Sequence, residues 1–287
     1  TFLVGVAASA VMLVIPVYLH NYKAFGRITV LGEFLAVASV TMCLLFIIVD
    51  LGQPQRAMNV ILHATPGSIL FWDMIVLNGY LFLNLLIGWI TLESERQDVM
   101  PPKWLKPFIY LSIFWAFSIH TVTAFLYAGL PGRHYWLTAI MAARFLASAF
   151  ASGPAILLLL TFLLKKLTKF NPGDEAIRTL ARIITYAMGI NIFFFLLEVF
   201  TAFYSNIPGH KHALVYLFSG IDGYTQWVPF MWVATAAAFI SMALLIPPKL
   251  RNNFEVLPWA LGLLVLASWI DKGIGLLVGG FTPSPFE

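Results

Sequence analysis

Cysteine and charge are the two things this sequence has least of. Its 287 residues include one cysteine, Cys43. That excludes a disulfide framework, and an iron–sulfur cluster or cysteine zinc site held by this chain alone. Only 10% of the residues are Asp, Glu, Lys or Arg, and the mean hydropathy is +0.87, which excludes an ordinary soluble core. The formal net charge of +4 is too small to point to nucleic acid. Of the six histidines only His120 falls well inside an apolar run. His20 sits at a run's end and His63, His134, His210 and His212 lie in loops. The paired intramembrane histidines that would hold a b-type haem between helices are therefore missing. No internal repeat and no low-complexity segment is visible. The chain opens at Thr1 inside an apolar run with no basic stretch before it, so no signal peptide is assigned.

What is present is a series of long apolar runs, near 2–19, 30–50, 69–92, 105–128, 137–164, 179–204, 225–247 and 255–279. Each approaches or exceeds the roughly 20 residues needed to cross a ~30 Å hydrocarbon core. Backbone in lipid must satisfy its own hydrogen bonds, so runs of this length form helices. The expectation is an all-α polytopic membrane protein: a single integral membrane domain over 1–287, with about eight transmembrane helices, arranged as two four-helix bundles. Of the 17 Lys and Arg, 12 flank alternate connections: Lys23 and Arg27; Arg96, Lys103 and Lys106; Lys165, Lys166, Lys169, Arg178 and Arg182; Lys249 and Arg251. Positive-inside reasoning places those connections in the cytoplasm and both termini outside.

Ionisable residues inside the runs are costly in lipid and mark candidate sites. His120, Thr123 and Tyr127 fall at i, i+3 and i+7, on one helix face. Asp73, Tyr80 and Asn84 make a polar stripe in the third run; Arg144, Ser148 and Ser152 share a face in the fifth, where Ser152-Gly-Pro154 should loosen the helix. Asn191, Glu198 and Thr201 repeat in the sixth. At 1.5 Å per residue, Asp73 lies about 6 Å, Glu198 about 9 Å, Arg144 about 10 Å and His120 about 12 Å from the outer helix ends. Four helices thus bring ionisable groups to one layer in the outer half. Glu33 and Asn84 are the main polar groups nearer the inner half. Asp50 and Arg56 could pair across their turn, or Asp50 could cap a helix beside a solvated Arg. Tyr135-Trp136 suits an interfacial aromatic belt. The connection 205–224, with His210, Lys211, His212 and Asp222, could dock a partner or act as a lid.

A layer of His, carboxylates, Tyr and Arg beneath an aqueous face suits a quinone site. The ring oxygens need donors and acceptors such as His120 and Tyr127, and protons need a titratable relay such as Glu198 or Asp73. The electron carrier would belong to a partner docked on the outer face. Other readings stay open at this stage. Arg144 with Glu198 or Asp73 could be an ion-pair staple, and His120 could be satisfied by a backbone carbonyl. The chain could instead be a proton or small-solute transporter, which would show a polar track through both halves. It could also be a structural anchor for soluble redox subunits.

Four stretches carry a resemblance: His120-Thr-Val-Thr-Ala-Phe-Leu-Tyr-Ala-Gly-Leu-Pro-Gly-Arg-His134, Arg144-Phe-Leu-Ala-Ser-Ala-Phe-Ala-Ser-Gly-Pro154, Glu198-Val-Phe-Thr-Ala-Phe-Tyr204 and Trp269-Ile-Asp-Lys-Gly273. Over essentially its whole length the chain resembles the NrfD/PsrC family of quinone-interacting membrane subunits, and within it the P-subunit type (DsrP) of DsrMKJOP complexes of dissimilatory sulfur metabolism, including sulfate reduction. The resemblance implies a multi-pass subunit of the cytoplasmic (inner) membrane with no haem, Fe–S or metal of its own, inactive alone. It implies a menaquinone or menaquinol site toward the extracytoplasmic side. The implied partners are an extracytoplasmic ferredoxin-like [4Fe–4S] subunit, a haem b membrane subunit, a c-type cytochrome and a cytoplasmic Fe–S subunit. His120, Thr123, Tyr127, Arg133, Asp73 and Arg144 would line the quinone; Glu198, Asp73 and Glu33 would serve the proton path; His120, Glu198 and Asp73 would be the catalytic groups. Subunits of the P type carry about ten spans, so the full protein would have ten.

Overall fold

The computed structural model describes residues 1–19, 25–97, 99 and 101–282. His20, Lys23 and the proline-rich tail at Pro283 and Pro285 lie outside the described residues. The chain is helical throughout and no sheet is present among the described residues. Seven helices are long and apolar enough to cross a membrane, and a shorter apolar helix precedes them. That first run is α1 (Phe2–Ala8), then α2 (Val11–Val14), which widens into a π-helical turn over Ile15–Leu19. The expected continuous helix over 2–19 is interrupted at Ser9, whose hydroxyl donates to the Val6 carbonyl. Such side-chain bonding competes with the helix ladder.

The remaining elements are α3 (Gly26–Asp50), short α4 (Asn59–Leu62), α5 (Ile69–Arg96), α6 (Lys106–Ala128), α7 (Met141–Leu167), α8 (Asp174–Tyr204), α9 (Pro208–Phe218), α10 (Val228–Leu245), short α11 (Pro248–Arg251) and α12 (Leu257–Ile270). The last continues as a π-helical stretch, Asp271–Val278, and ends in α13 (Gly279–Phe281). Exposed Leu45, Phe46, Trp89, Phe114, Phe193 and Trp259 face outward from the long helices, as lipid-facing surface requires.

Neighbours sort into two sets of four. One joins α1, α3, α5 and α6 around Ala7, Ala8, Ala36, Val40, Leu77, Tyr80 and Ile119. The other joins α7, α8, α10 and α12 around Leu158, Ile177, Leu180, Ile184, Leu245, Leu261 and Leu264. The sets meet where α7 packs on α1 and α6. Lipid tails are as apolar as leucine, so small residues let these backbones approach. Gly5 of α1 faces Ala149 of α7, and a Cβ there would lie 3.5 Å from its Cα. One end of the bundle carries the connections with His63, His134, His210 and His212; the other carries those with Lys103, Lys165, Lys166, Lys169 and Lys249.

At the histidine-rich end the structure departs from the sequence expectation three times. Helix α7 starts at Met141 rather than 137, because His134–Trp136 forms a 3-10 turn that folds inward. Tyr135 and Trp136 are buried, not interfacial: the Trp136 indole donates to the Leu276 carbonyl at 2.7 Å and packs so tightly on Gly280 that any Cβ would overlap it. The 205–224 connection contains α9, whose Ala213, Leu214 and Leu217 are buried against this same end. Helix α7 runs through Pro154 without a break. Asp50 and Arg56 are both exposed, and no ion pair joins them among the described residues.

Candidate functional site

The expected single layer resolves into two groups, one in each set of helices. The first is built on the α5–α6 pair. Asp73 lies four residues into α5 and is buried, and the Thr123 hydroxyl of α6 donates to its carboxylate at 2.9 Å. His120, one turn from Thr123 on the same face of α6, is 1% exposed. The Ala116 carbonyl lies one turn back, near its ring. Neither ring nitrogen has a well-formed hydrogen bond among the described residues. Tyr127, two turns from His120, packs edge-on against Trp136 and Phe145, with ring centroids 4.9 and 6.0 Å apart. Arg133 stays apart from these groups, its guanidinium 5.4 Å from the Phe281 ring centroid.

The second group is an ion cluster on α7, α8 and the π-helical stretch after α12. Arg144 donates to the Glu198 carboxylate and, through its other terminal nitrogen, to both oxygens of Asp271 at 2.8 and 3.1 Å. Arg144 and Glu198 are nearly inaccessible. The Phe195 ring lies 5.6 Å from the guanidinium. Of the two pairings open at the sequence level, Arg144 takes Glu198, and Asp73 is held by Thr123 instead. Tyr135 sits beside this cluster, where burial, and next the neighbouring Glu198 charge, push its phenol above the usual range, so it remains a hydroxyl donor.

Asp271 and Lys272 are the functional candidates that sequence reasoning missed. Both stand in a quoted motif, inside the last apolar run. A signal exists for them: that run continues to Phe281, which puts them about ten residues, roughly 15 Å, inside. A pocket of about 40 Å³ between α8, α10 and α12 is walled by Asn191, Thr235, Ser268 and Asp271. The Asn191 and Ser268 oxygens there have no partner among the described residues, and the space has room for a water or two.

Glu33 of α3 lies deeper in the first set, 1% exposed, with neither carboxylate oxygen hydrogen-bonded among the described residues. It packs against Gly88 of α5. One turn from Gly88, Asn84 bonds the Tyr80 carbonyl at 2.8 Å, and the Tyr80 hydroxyl reaches the Ala7 carbonyl at 3.3 Å. Among the described residues no three His, Cys, Asp or Glu side chains converge as a metal site. At the α6–α7 junction a groove of about 280 Å³ is lined by Phe125, Ala128, Leu137, Thr138, Met141 and Ala142; His120 is not among its walls.

Comparison with known proteins agrees with the motifs. The family described as "Polysulphide reductase, NrfD" matches residues 1–283. A selenate reductase subunit of Mesobacillus selenatarsenatis is 24% identical over 260 residues, covering 79% of this chain and 61% of the relative. The Hdr-like menaquinol oxidoreductase integral membrane subunit of Archaeoglobus fulgidus is 23% identical over 262 residues, covering 91% of this chain and 63% of that protein. The chain thus spans a little over three fifths of the length of these relatives.

Proposed function

The chain belongs to the NrfD family of membrane proteins, and from that premise we propose that it is the quinone-reactive subunit of a respiratory oxidoreductase complex. It binds menaquinone or menaquinol between its helices and exchanges electrons with an iron–sulfur partner subunit. One observation carries the reading: a buried histidine whose nitrogens have no well-formed hydrogen bond among the described residues, on the same helix face as a Thr123–Asp73 pair and a tyrosine. A buried polar group without a partner costs free energy on the order of 1–3 kcal/mol, so such a group persists where it serves a ligand. The set fits a quinone. His120 can accept or donate a proton, Thr123 and Tyr127 carry hydroxyls, and Asp73 can take a proton onward. The apolar α6–α7 groove suits the isoprenoid tail. When bound, the quinone supplies the two-electron, two-proton chemistry that no side chain of this protein can.

His120 is the group that holds and moves a proton at the ring, with Asp73 and Thr123 behind it; Tyr127 positions the ring edge. Glu33 is the inward candidate for a proton path. Glu198 and Arg144 act through one another as an ion cluster that fixes α7, α8 and the 271–278 stretch. The basic connections favour an extracytoplasmic quinone site, with a ferredoxin-like [4Fe–4S] subunit docked on the histidine-rich end. The relative named a menaquinol oxidoreductase subunit favours menaquinone. The P-type motifs favour a complex of sulfur metabolism with a haem b subunit, a c-type cytochrome and a cytoplasmic Fe–S subunit. The test is quinol-analogue oxidation by the assembled complex. His120→Ala and Asp73→Asn are each expected to lower it at least tenfold; full activity in both places the site elsewhere. Glu33→Gln in proteoliposomes is expected to lower the proton-to-electron ratio, and an unchanged ratio removes Glu33 from the path.

A further inference from the structure

Lys272 is buried, 3% exposed, and its ammonium has no hydrogen-bond partner among the described residues. Its sequence neighbour Asp271 would be the natural counterion, but both Asp271 oxygens are taken by Arg144. The reason is local. Neighbouring residues on any helix point in different directions around its axis, so Asp271 turns to Arg144 while Lys272 turns to the seam between the two helix sets. There its nitrogen rests where Gly5 of α1 has no side chain; a Cβ at Gly5 would lie 2.9 Å from it. It also stands 5.3 Å from the centroid of the Phe145 ring of α7, the same ring that packs against Tyr127. Helices α1, α6 and α7 converge at this seam, where Ile119, next to His120 on α6, packs in one cluster with Val4, Ala7 and Ala8 of α1.

Two nine-tenths-buried side chains with unfilled polar atoms therefore approach one junction from opposite helix sets. Lysine can only donate, and histidine can accept at one nitrogen while donating at the other. A hydroxyl that gives its proton to an imidazole and receives a hydrogen bond from an ammonium satisfies both at once. We propose that Lys272 and His120 together hold one oxygen of the quinol ring, and that Lys272 is the group that stabilises this oxygen when its proton leaves. The inference rests on the quinone reading above and adds a residue from the second helix set to it. In the step, the O–H bond breaks, the proton passes to the His120 imidazole, and the electron pair stays on the oxygen beside the Lys272 ammonium. The second hydroxyl gives its proton to the Thr123–Asp73 pair, and the two electrons of the oxidation go one at a time to the partner's iron–sulfur clusters. Fixed charge aimed at an oxygen where negative charge develops typically contributes 10²–10³-fold in rate.

The test uses the assembled complex with Lys272→Met and Lys272→Arg. Two readouts are needed: steady-state oxidation of a quinol analogue, and binding of a hydroxyquinoline N-oxide followed by quenching of its fluorescence. Lys272→Met is expected to lower kcat on the order of 100-fold with a smaller change in KM, and to weaken the N-oxide at least tenfold. Its thermal stability should be unchanged or higher, because an unpaired buried charge has been removed. Lys272→Arg should recover most of the binding. Normal N-oxide affinity and normal kcat in Lys272→Met, in a complex where His120→Ala abolishes both, overturns the role of Lys272 and leaves the quinone reading standing. Normal behaviour of His120→Ala as well overturns both. A large loss of thermal stability in Lys272→Met, with binding intact in the folded fraction, makes the lysine structural and also overturns the proposal.

Discussion

The two ionisable groups of this protein lie at similar depth and are built on opposite plans. In the second helix set, Arg144 is bonded to one oxygen of Glu198 and to both oxygens of Asp271. In the first set and at the seam, His120 and Lys272 have no hydrogen-bond partner among the described residues, and Asp73 has one hydroxyl. A saturated buried ion cluster fixes helices but has no valence left for a ligand. An unsaturated one is costly to keep and is poised to bind. Position along the helices does not separate the two; hydrogen-bond satisfaction does.

The contrast breaks most sharply at Arg144. Removing the cation leaves Glu198 and Asp271 buried and uncompensated, so Arg144→Met is expected to destabilise the protein by about 3–5 kcal/mol. A thermal shift of the detergent-purified complex would measure it, and an unchanged midpoint would show that the cluster is no staple. His120→Ala should behave in the opposite sense: no loss of midpoint beyond that of a small cavity, but loss of N-oxide binding. A fall in stability as large as that of Arg144→Met would erase the distinction between the groups. A smaller effect is expected at Trp136→Phe, which removes one buried indole bond to Leu276 and should cost about 1 kcal/mol. Hydrogen exchange in the 271–281 segment reports it.

The smallest effect concerns α9, which lies outside the membrane-spanning helices. Burial pushes the His210 imidazole below its usual range; the Leu137 carbonyl works against that and the His134 ring adds to it. Because the folded state resists the proton, stability is full above the unfolded value near pH 6.5 and declines as pH falls below it. Exchange protection of α9 should therefore drop as the pH is lowered from about 7.5 to about 5.5, and His210→Gln should flatten that drop. An equal drop in the variant would assign the effect elsewhere.

Much of the fold was legible because lipid imposes it. Runs such as 30–50 and 69–92 are too long and too apolar to be anything but helices, and their bounds fall within a few residues of α3 and α5. Asp73, His120, Arg144 and Glu198 stood out because ionisable residues there are rare. Their grouping was not legible. Spacing shows which residues share a helix face but not which helix stands opposite, so Arg144 could be read toward Asp73 as easily as toward Glu198. Trp136 illustrates the same limit: an aromatic pair after a turn looks interfacial until the turn is seen to fold inward onto Gly280.

By itself, the sequence determined that the chain is a helical membrane protein with titratable residues toward one end, because hydrophobicity and period are local properties. The packing of α1, α6 and α7, together with the wide helical turn after Ile270, decided which of those residues are bound to each other and which are left unfilled. Partnership across helices depends on rotation about each helix axis. That rotation is set by contacts between residues as distant in the chain as Gly5 and Lys272, and no short window of residues encodes it.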